Sequence, residues 1–217
     1  MNTPRKALAI AAVVLAASAF GCAGLAPATA EVAAKPAASD IASSFEPRGQ
    51  AGMDRLTQNS MQLTCSRYEG KELPAQLAES IMKQAAATVR FPEGGHFFGN
   101  WKAGEKIATT GTGLQSSDDP KLPNGGNCYA CHQMAPAEVA YGTLGPSLSL
   151  YGKLRGTNEA MLKYTWIRLW NSHAYNACSH MPRFGDAGIL TEQQLKDVMA
   201  YLFDAASPVN IEAAPAP

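Results

Sequence analysis

The sequence is short of charge, and neither sign prevails. Only 17% of its 217 residues are Asp, Glu, Lys or Arg, and 18 basic side chains balance 18 acidic ones, where a typical globular chain carries about a quarter charged residues. Without a basic excess there is no electrostatic footprint for nucleic acid. The uncharged apolar stretch from Ala7 to Phe20 is only 14 residues long, too short for a bilayer span of about 20. No segment alternates apolar and polar residues for long enough to make a sheet, and no self-similarity recurs at a period of about 20 to 50 residues, which excludes solenoids and propellers. What remains is a helical reading of a chain that is 46% hydrophobic, enough for a core.

The amino end reads as an address. Arg5 and Lys6 precede the apolar stretch, and the small-residue site Ala28-Thr29-Ala30 stands before Glu31, so the pattern is that of a secretory signal, residues 1–30, cleaved after Ala30. Cys22, which follows Gly21, leaves lipid attachment open as an alternative. Cleavage after Ala30 removes two basic residues and no acids, so the mature chain carries a formal charge of minus two. It also removes one of five cysteines and leaves Cys65, Cys128, Cys131 and Cys178 in an oxidising compartment.

Residues 31–50, dominated by Ala, Pro, Ser and Gly, bury too little to offset ordering and are expected to be a flexible leader. Residues 51–98 form an amino-terminal arm. In it, Leu77, Ile81, Met82 and Ala85 recur at helical spacing behind Pro74, predicting a helix over 74–89. A second, more richly patterned domain follows over 99–208, with a flexible tail at 209–217. Its helices are expected over 99–109, with Gly104 in the apolar stripe as a sign of close packing, over 158–171, and over 192–203. Thr191 and Gln194 make a capping box for the last, ahead of the stripe Leu195, Val198, Met199, Leu202 and Phe203. Residues 110–127 have loop composition. The fold class is therefore all-α.

Cys128-Tyr129-Ala130-Cys131-His132 is the Cys-x-x-Cys-His pattern of c-type haem attachment. Two thiols three positions apart can add to the two vinyl groups of one porphyrin, and the next imidazole then lies under the iron. A zinc half-site or a redox dithiol is the alternative; a zinc site wants a second cysteine pair, which is absent. The motif occurs once, so one covalently attached haem c and one-electron chemistry are expected. For the sixth ligand, Met134 is too close to His132 to reach the other face, leaving Met181, His180 and His173. His173 is expected at a helix end, exposed or capping. The carbonyl of Pro146, in Gly145-Pro146-Ser147-Leu148, can accept a hydrogen bond from the second imidazole nitrogen of His132; an ordinary turn is the alternative. Cys65 and Cys178 lie outside the haem motif, and cysteine arithmetic pairs them with each other, a catalytic thiol or a bridge to a partner chain being the other options.

The haem motif Gly126 to His132, Gly145 to Leu148, Tyr151-Gly152-Lys153-Leu154-Arg155-Gly156, Met181-Pro182-Arg183-Phe184-Gly185, Leu190-Thr191-Glu192, Asp197 to Leu202 and Ser207-Pro208-Val209-Asn210 together resemble the SoxX family, the small cytochrome c subunits of the SoxAX complexes of bacterial sulfur oxidation. The likeness covers about residues 60 to 210. It implies a class I cytochrome c-like haem domain with an amino-terminal helical arm, and His132 and Met181 as axial ligands. It also implies a SoxA partner subunit on which the arm packs, a periplasmic location, and the carrier protein SoxYZ as co-substrate. The activity implied is L-cysteine S-thiosulfotransferase, with substrate chemistry on the partner and none of the catalytic residues on this chain, which would relay electrons to a further cytochrome. A free-standing electron shuttle and a haem-based sensor are the competing classes. The intact mass of the exported protein is expected to equal residues 31–217 plus a single haem, and a lipid-bearing chain starting at Cys22 would overturn the assigned cleavage.

Overall fold

The computed structural model describes residues 38–212; the signal segment with its cleavage site, Cys22 and the last five residues of the tail lie outside the described residues. Among the described residues there are seven α-helices and no strand, only an isolated bridge between Arg48 and Ala51. The fold is the expected all-α, class I cytochrome c-like arrangement. None of these helices is long and apolar enough to cross a membrane.

Two helices far apart in sequence make the central contact. Helix α4 (Trp101–Thr109) is capped by Asn100, whose side chain accepts from the amides of Lys102 and Ala103 at 2.9 and 3.3 Å. Helix α7 (Glu192–Phe203) carries the expected Thr191–Gln194 capping box. The two cross at Gly104, where a Cβ would stand 2.0 Å from the backbone oxygen of Asp197 and 2.8 Å from the Tyr201 Cβ. Only glycine permits that approach. The crossing is also pinned at the start of α4, where the buried Asp197 carboxylate accepts from the Asn100 amide at 2.8 Å and the Gly99 amide donates to the Lys196 carbonyl at 2.9 Å. On α7, Leu195, Val198, Met199, Leu202 and Phe203 are buried, each worth about 1.5–3 kcal/mol of transfer free energy.

Helix α6 (Glu159–Asn171), capped by Asn158 through the Met161 amide, adds Trp166 and Leu169 to the same core. The five-residue α5 (Tyr151–Arg155) is joined to it by a 2.9 Å bond between the Tyr151 and Thr165 hydroxyls, and Gly152 lets it lie directly on Phe203. The arm contributes α2 (Ser60–Arg67) and α3 (Ala75–Ala87). Helix α3 buries Ile81 and Ala85 and packs on a turn of 3-10 helix, Ser172–Ala174, that follows α6. Helix α2 buries no residue. It is fixed instead by an Asn59–Gln62 capping box and by a disulfide from Cys65 to Cys178. That cross-link joins residues 113 apart and stabilises by about 4–5 kcal/mol in the chain-entropy account.

Two expected boundaries are corrected. The segment expected to be a flexible leader holds helix α1 (Ala38–Ser44) and a turn that leans on the 110–127 loop: the Gln50 side chain donates to the Asp118 carbonyl at 3.2 Å, and Gly49 presses on Ser116. The expected tail begins too early, because Val209 and Asn210 are buried in a 3-10 turn, with the Asn210 amide bonded to the Leu202 and Asp204 carbonyls at 3.0 and 2.9 Å.

The α4–α7 crossing yields a prediction. Gly104→Ala should cost about 1–3 kcal/mol, the usual penalty for overpacking, with a fall in Tm of roughly 2–4 °C for each kcal/mol at this chain size. Thermal melts followed by far-ultraviolet circular dichroism will show it.

Candidate haem site

The haem motif is held by the end of α4. Amides of Gly125, Gly126 and Asn127 donate to the carbonyls of Thr112, Ile107 and Thr110 at 2.8, 2.7 and 2.8 Å. Asn127 then takes a left-handed conformation, φ 46°, which asparagine tolerates better than most residues, and turns the chain into the 3-10 helix Cys128–Ala130. The amides of Cys131 and His132 both return to the Cys128 carbonyl, at 3.1 and 2.9 Å. Both thiols and the imidazole thus issue from one tight turn. Neither cysteine is in a disulfide. Desolvation pushes the Cys128 thiol up to about 12. Among the described residues no three His, Cys, Asp or Glu side chains gather into a metal-binding set.

Tyr129, between the thiols, faces inward. Its hydroxyl lies 2.7 Å from the Tyr201 hydroxyl on α7 and accepts from the Ala135 amide at 3.0 Å. Burial and this hydrogen bond hold the Tyr201 hydroxyl well above its ordinary range, so it stays protonated. The pair locks the haem turn to the central helix crossing.

A second strand of chain lies along the first. Amides of Gly142, Gly145 and Leu148 donate to the carbonyls of Tyr129, Cys131 and Gln133, each at 2.8 Å. These three rungs set Gly145 and Pro146 against His132. The His132 Nδ1 is 2.7 Å from the Pro146 carbonyl. A carbonyl can only accept, so Nδ1 carries the proton and Nε2 keeps its lone pair for a metal. Gly145 lies flat on the same ring: a Cβ there would be 2.2 Å from His132 Cε1 and 2.5 Å from Nδ1. The sequence singled out the Pro146 carbonyl, whereas the steric demand at Gly145 is visible only in three dimensions.

The residues present fit a covalently held haem. Cys128, Leu148 and Met181 are among the apolar side chains only partly covered that pack against the buried core, surface that a flat apolar group would cover. One polar atom points to the same group. Trp166 and Trp170 stack at 6.2 Å; Trp166 donates its N–H to the Arg90 carbonyl at 2.7 Å, but the Trp170 Nε1 is buried without an acceptor. A porphyrin bearing two carboxylates brings acceptors with it. Cys128 and Cys131 would hold such a haem through thioethers and His132 through Nε2. When bound, it supplies a one-electron ferric/ferrous couple.

The candidates for a sixth ligand part company by position. His180 is exposed, whereas Met181, its neighbour, is half-buried against the core edge. His173 is not the exposed or capping residue that was expected: it is buried, and its Nδ1 is 2.7 Å from the Ala177 carbonyl. Met134 is fully buried in the core. The Met181 backbone is fixed at both ends, its carbonyl accepting from the Ser172 hydroxyl at 2.9 Å and its amide donating to the Ser179 hydroxyl at 3.2 Å.

A helical domain wrapped on a Cys-x-x-Cys-His turn, with the imidazole tied to a backbone carbonyl, defines a c-type cytochrome. The comparison with known proteins agrees: residues 102–205 match the profile of the Cytochrome c family. The chain is also 36% identical over 160 residues, 70% of this chain and 73% of the relative, to a protein of Aquifex aeolicus (strain VF5) named as an uncharacterized lipoprotein. Residues 102–205 thus carry a cytochrome c domain, the domain that in that family holds haem c covalently and transfers electrons.

Geometry at His132 separates two neighbouring substitutions. Gly145→Ala drives a methyl group into the ring and should lower holo-protein stability by about 1–3 kcal/mol. Pro146→Ala keeps the carbonyl and loses only ring rigidity, at about 0.4–1 kcal/mol. Urea denaturation of the two holo-proteins will order them.

Proposed function

We propose that this chain is an exported monohaem cytochrome c with His132 and Met181 as axial ligands, acting as the electron-accepting subunit of a periplasmic SoxAX complex. The observation that carries the specific reading is the ordered set of motifs from Gly126 to Asn210, which a haem pentapeptide alone would not provide. Support for Met181 comes from its half-buried place beside an exposed His180. A neutral thioether favours the ferrous state and raises the potential relative to two histidines, as suits an electron acceptor.

In the reaction of such a complex, the outer sulfur of thiosulfate bonds to the sulfur of a carrier-protein cysteine. The S–S bond forms as the thiol proton and two electrons leave, so the product is a cysteine S-thiosulfonate. This chain supplies no group to that bond. Its part is to take the electrons singly and pass them to a further cytochrome. Export rests on the basic start, the apolar stretch and the Ala28-Thr29-Ala30 site. The lipoprotein name of the Aquifex aeolicus relative fits export too, and keeps Cys22 as the alternative processing site.

A free-standing shuttle is the second reading. It draws on the arm, because α3 spends its buried residues Ile81 and Ala85 on its own chain and needs no partner to cover them. Affinity purification from cells grown on thiosulfate discriminates the two. Recovery with a second haem protein, and haem reduction on adding thiosulfate and the carrier protein, is the expected result; a monomer that nothing in that mixture reduces would reject the complex. Separately, Met181→Ala should abolish the methionine-to-ferric-iron charge-transfer band and lower the potential, and an unchanged spectrum would return the ligand to a histidine.

A further inference from the structure

We infer that the arm is a clamp on the loop that carries Met181, with the Cys65–Cys178 disulfide as its positioning element, so that the cross-link sets how firmly the sixth ligand is held. The inference rests on the proposed axial role of Met181.

Residues 172–191 between α6 and α7 contain one short turn of 3-10 helix and otherwise irregular chain. Such a segment, if opened, gains conformational freedom at nearly every residue. The half leading to Met181 is folded onto Ser172: the amides of Tyr175 and Asn176 return to the Ser172 carbonyl at 3.1 and 3.2 Å, and the Ser172 hydroxyl holds the Met181 carbonyl. These bonds are local and would break together when the loop opens.

From outside the loop, α6 meets this half through the Tyr175 ring, which lies 5.0 Å from Tyr164 and 4.8 Å from the Arg168 guanidinium, and the arm meets it twice. Helix α3 packs on the Ser172–Ala174 turn, and at its end the Thr88 hydroxyl accepts from the Asn171 side chain at 3.2 Å. Helix α2 reaches Cys178, three residues before Met181, through the disulfide. That the link matters to the loop more than to the arm's own packing follows from α2, none of whose residues is fully buried. A helix whose Met61 and Cys65 are only half-buried, tied covalently beside the ligand residue, acts chiefly through the tie. The cross-link removes freedom from the opened loop and leaves the closed one unchanged, so it disfavours opening.

An external ligand that replaces the thioether binds only when the loop opens, so its apparent affinity reports the opening equilibrium. The test is titration of ferric holo-protein with imidazole, followed in the Soret and charge-transfer bands. Four proteins are compared: unsubstituted, Cys65→Ala/Cys178→Ala, Met181→Ala, and the triple variant. The cysteine pair should tighten imidazole binding by about tenfold or more. In the Met181→Ala background the same pair should have no further effect, because no thioether is left to hold. A change limited to global stability would lower the Tm and leave the imidazole affinity at ambient temperature unmoved. If the pair does not fold, unsubstituted holo-protein is reduced with dithiothreitol, blocked with iodoacetamide, reoxidised with ferricyanide and titrated; the haem thioethers survive this treatment. An affinity within about twofold of the unsubstituted protein, in a background where Met181→Ala does abolish the band, overturns the clamp and keeps the ligand. A band that persists in Met181→Ala overturns the ligand, and the clamp with it.

Discussion

The close approach of α4 and α7 at Gly104 is the constraint on which the rest of the domain depends. A missing side chain brings two backbones together, and everything that positions the haem turn is referred to that contact. From α4 and its cap residue Thr110 run the carbonyls that receive Gly126 and Asn127 at the entry to the Cys-x-x-Cys-His turn. From α7 comes Tyr201, whose hydroxyl meets Tyr129 between the two thiols. The turn is therefore gripped from both helices of one crossing, and its geometry is as rigid as the core itself.

Rigidity there serves a definite chemical end. An imidazole that could rotate or change tautomer would hold a metal loosely; here Pro146 fixes the proton on Nδ1 and Gly145 fixes the plane of the ring. The opposite side of the site is built differently. Met181 sits in irregular chain, held by short-range bonds, by α6 and by a covalent tie to a helix from another part of the sequence. With Met181 as the proposed sixth ligand, one axial position would belong to the core and the other to the periphery, a division that lets a protein tune ligand strength without disturbing haem attachment.

The sequence made the attachment turn legible because thioether chemistry demands two thiols and an imidazole at fixed spacing. The long helices were legible where apolar spacing coincided with a cap, as in α6 and α7. Helix α2 was not, since it has no apolar stripe and owes its place to Asn59, Gln62 and a covalent bond. Nor was α5, a single turn. The turn at residues 48–51 escaped because it leans on the distant 110–127 loop through Gly49 and Gln50, which no local pattern reports. At the site, Gly145 and the unpaired Trp170 N–H became visible only once the chain was folded, because each is defined by what lies across from it.

The disulfide also divides the chain topologically. It closes residues 65–178 into a covalent ring, and that ring contains the whole attachment turn, helices α3 to α6 and both partners of the His132 hydrogen bond. Met181 and α7 lie outside it. A single peptide-bond break anywhere within the ring leaves every residue covalently joined to the haem-bearing turn. A break between Cys178 and Glu192 instead leaves α7, one half of the central crossing, held by packing alone.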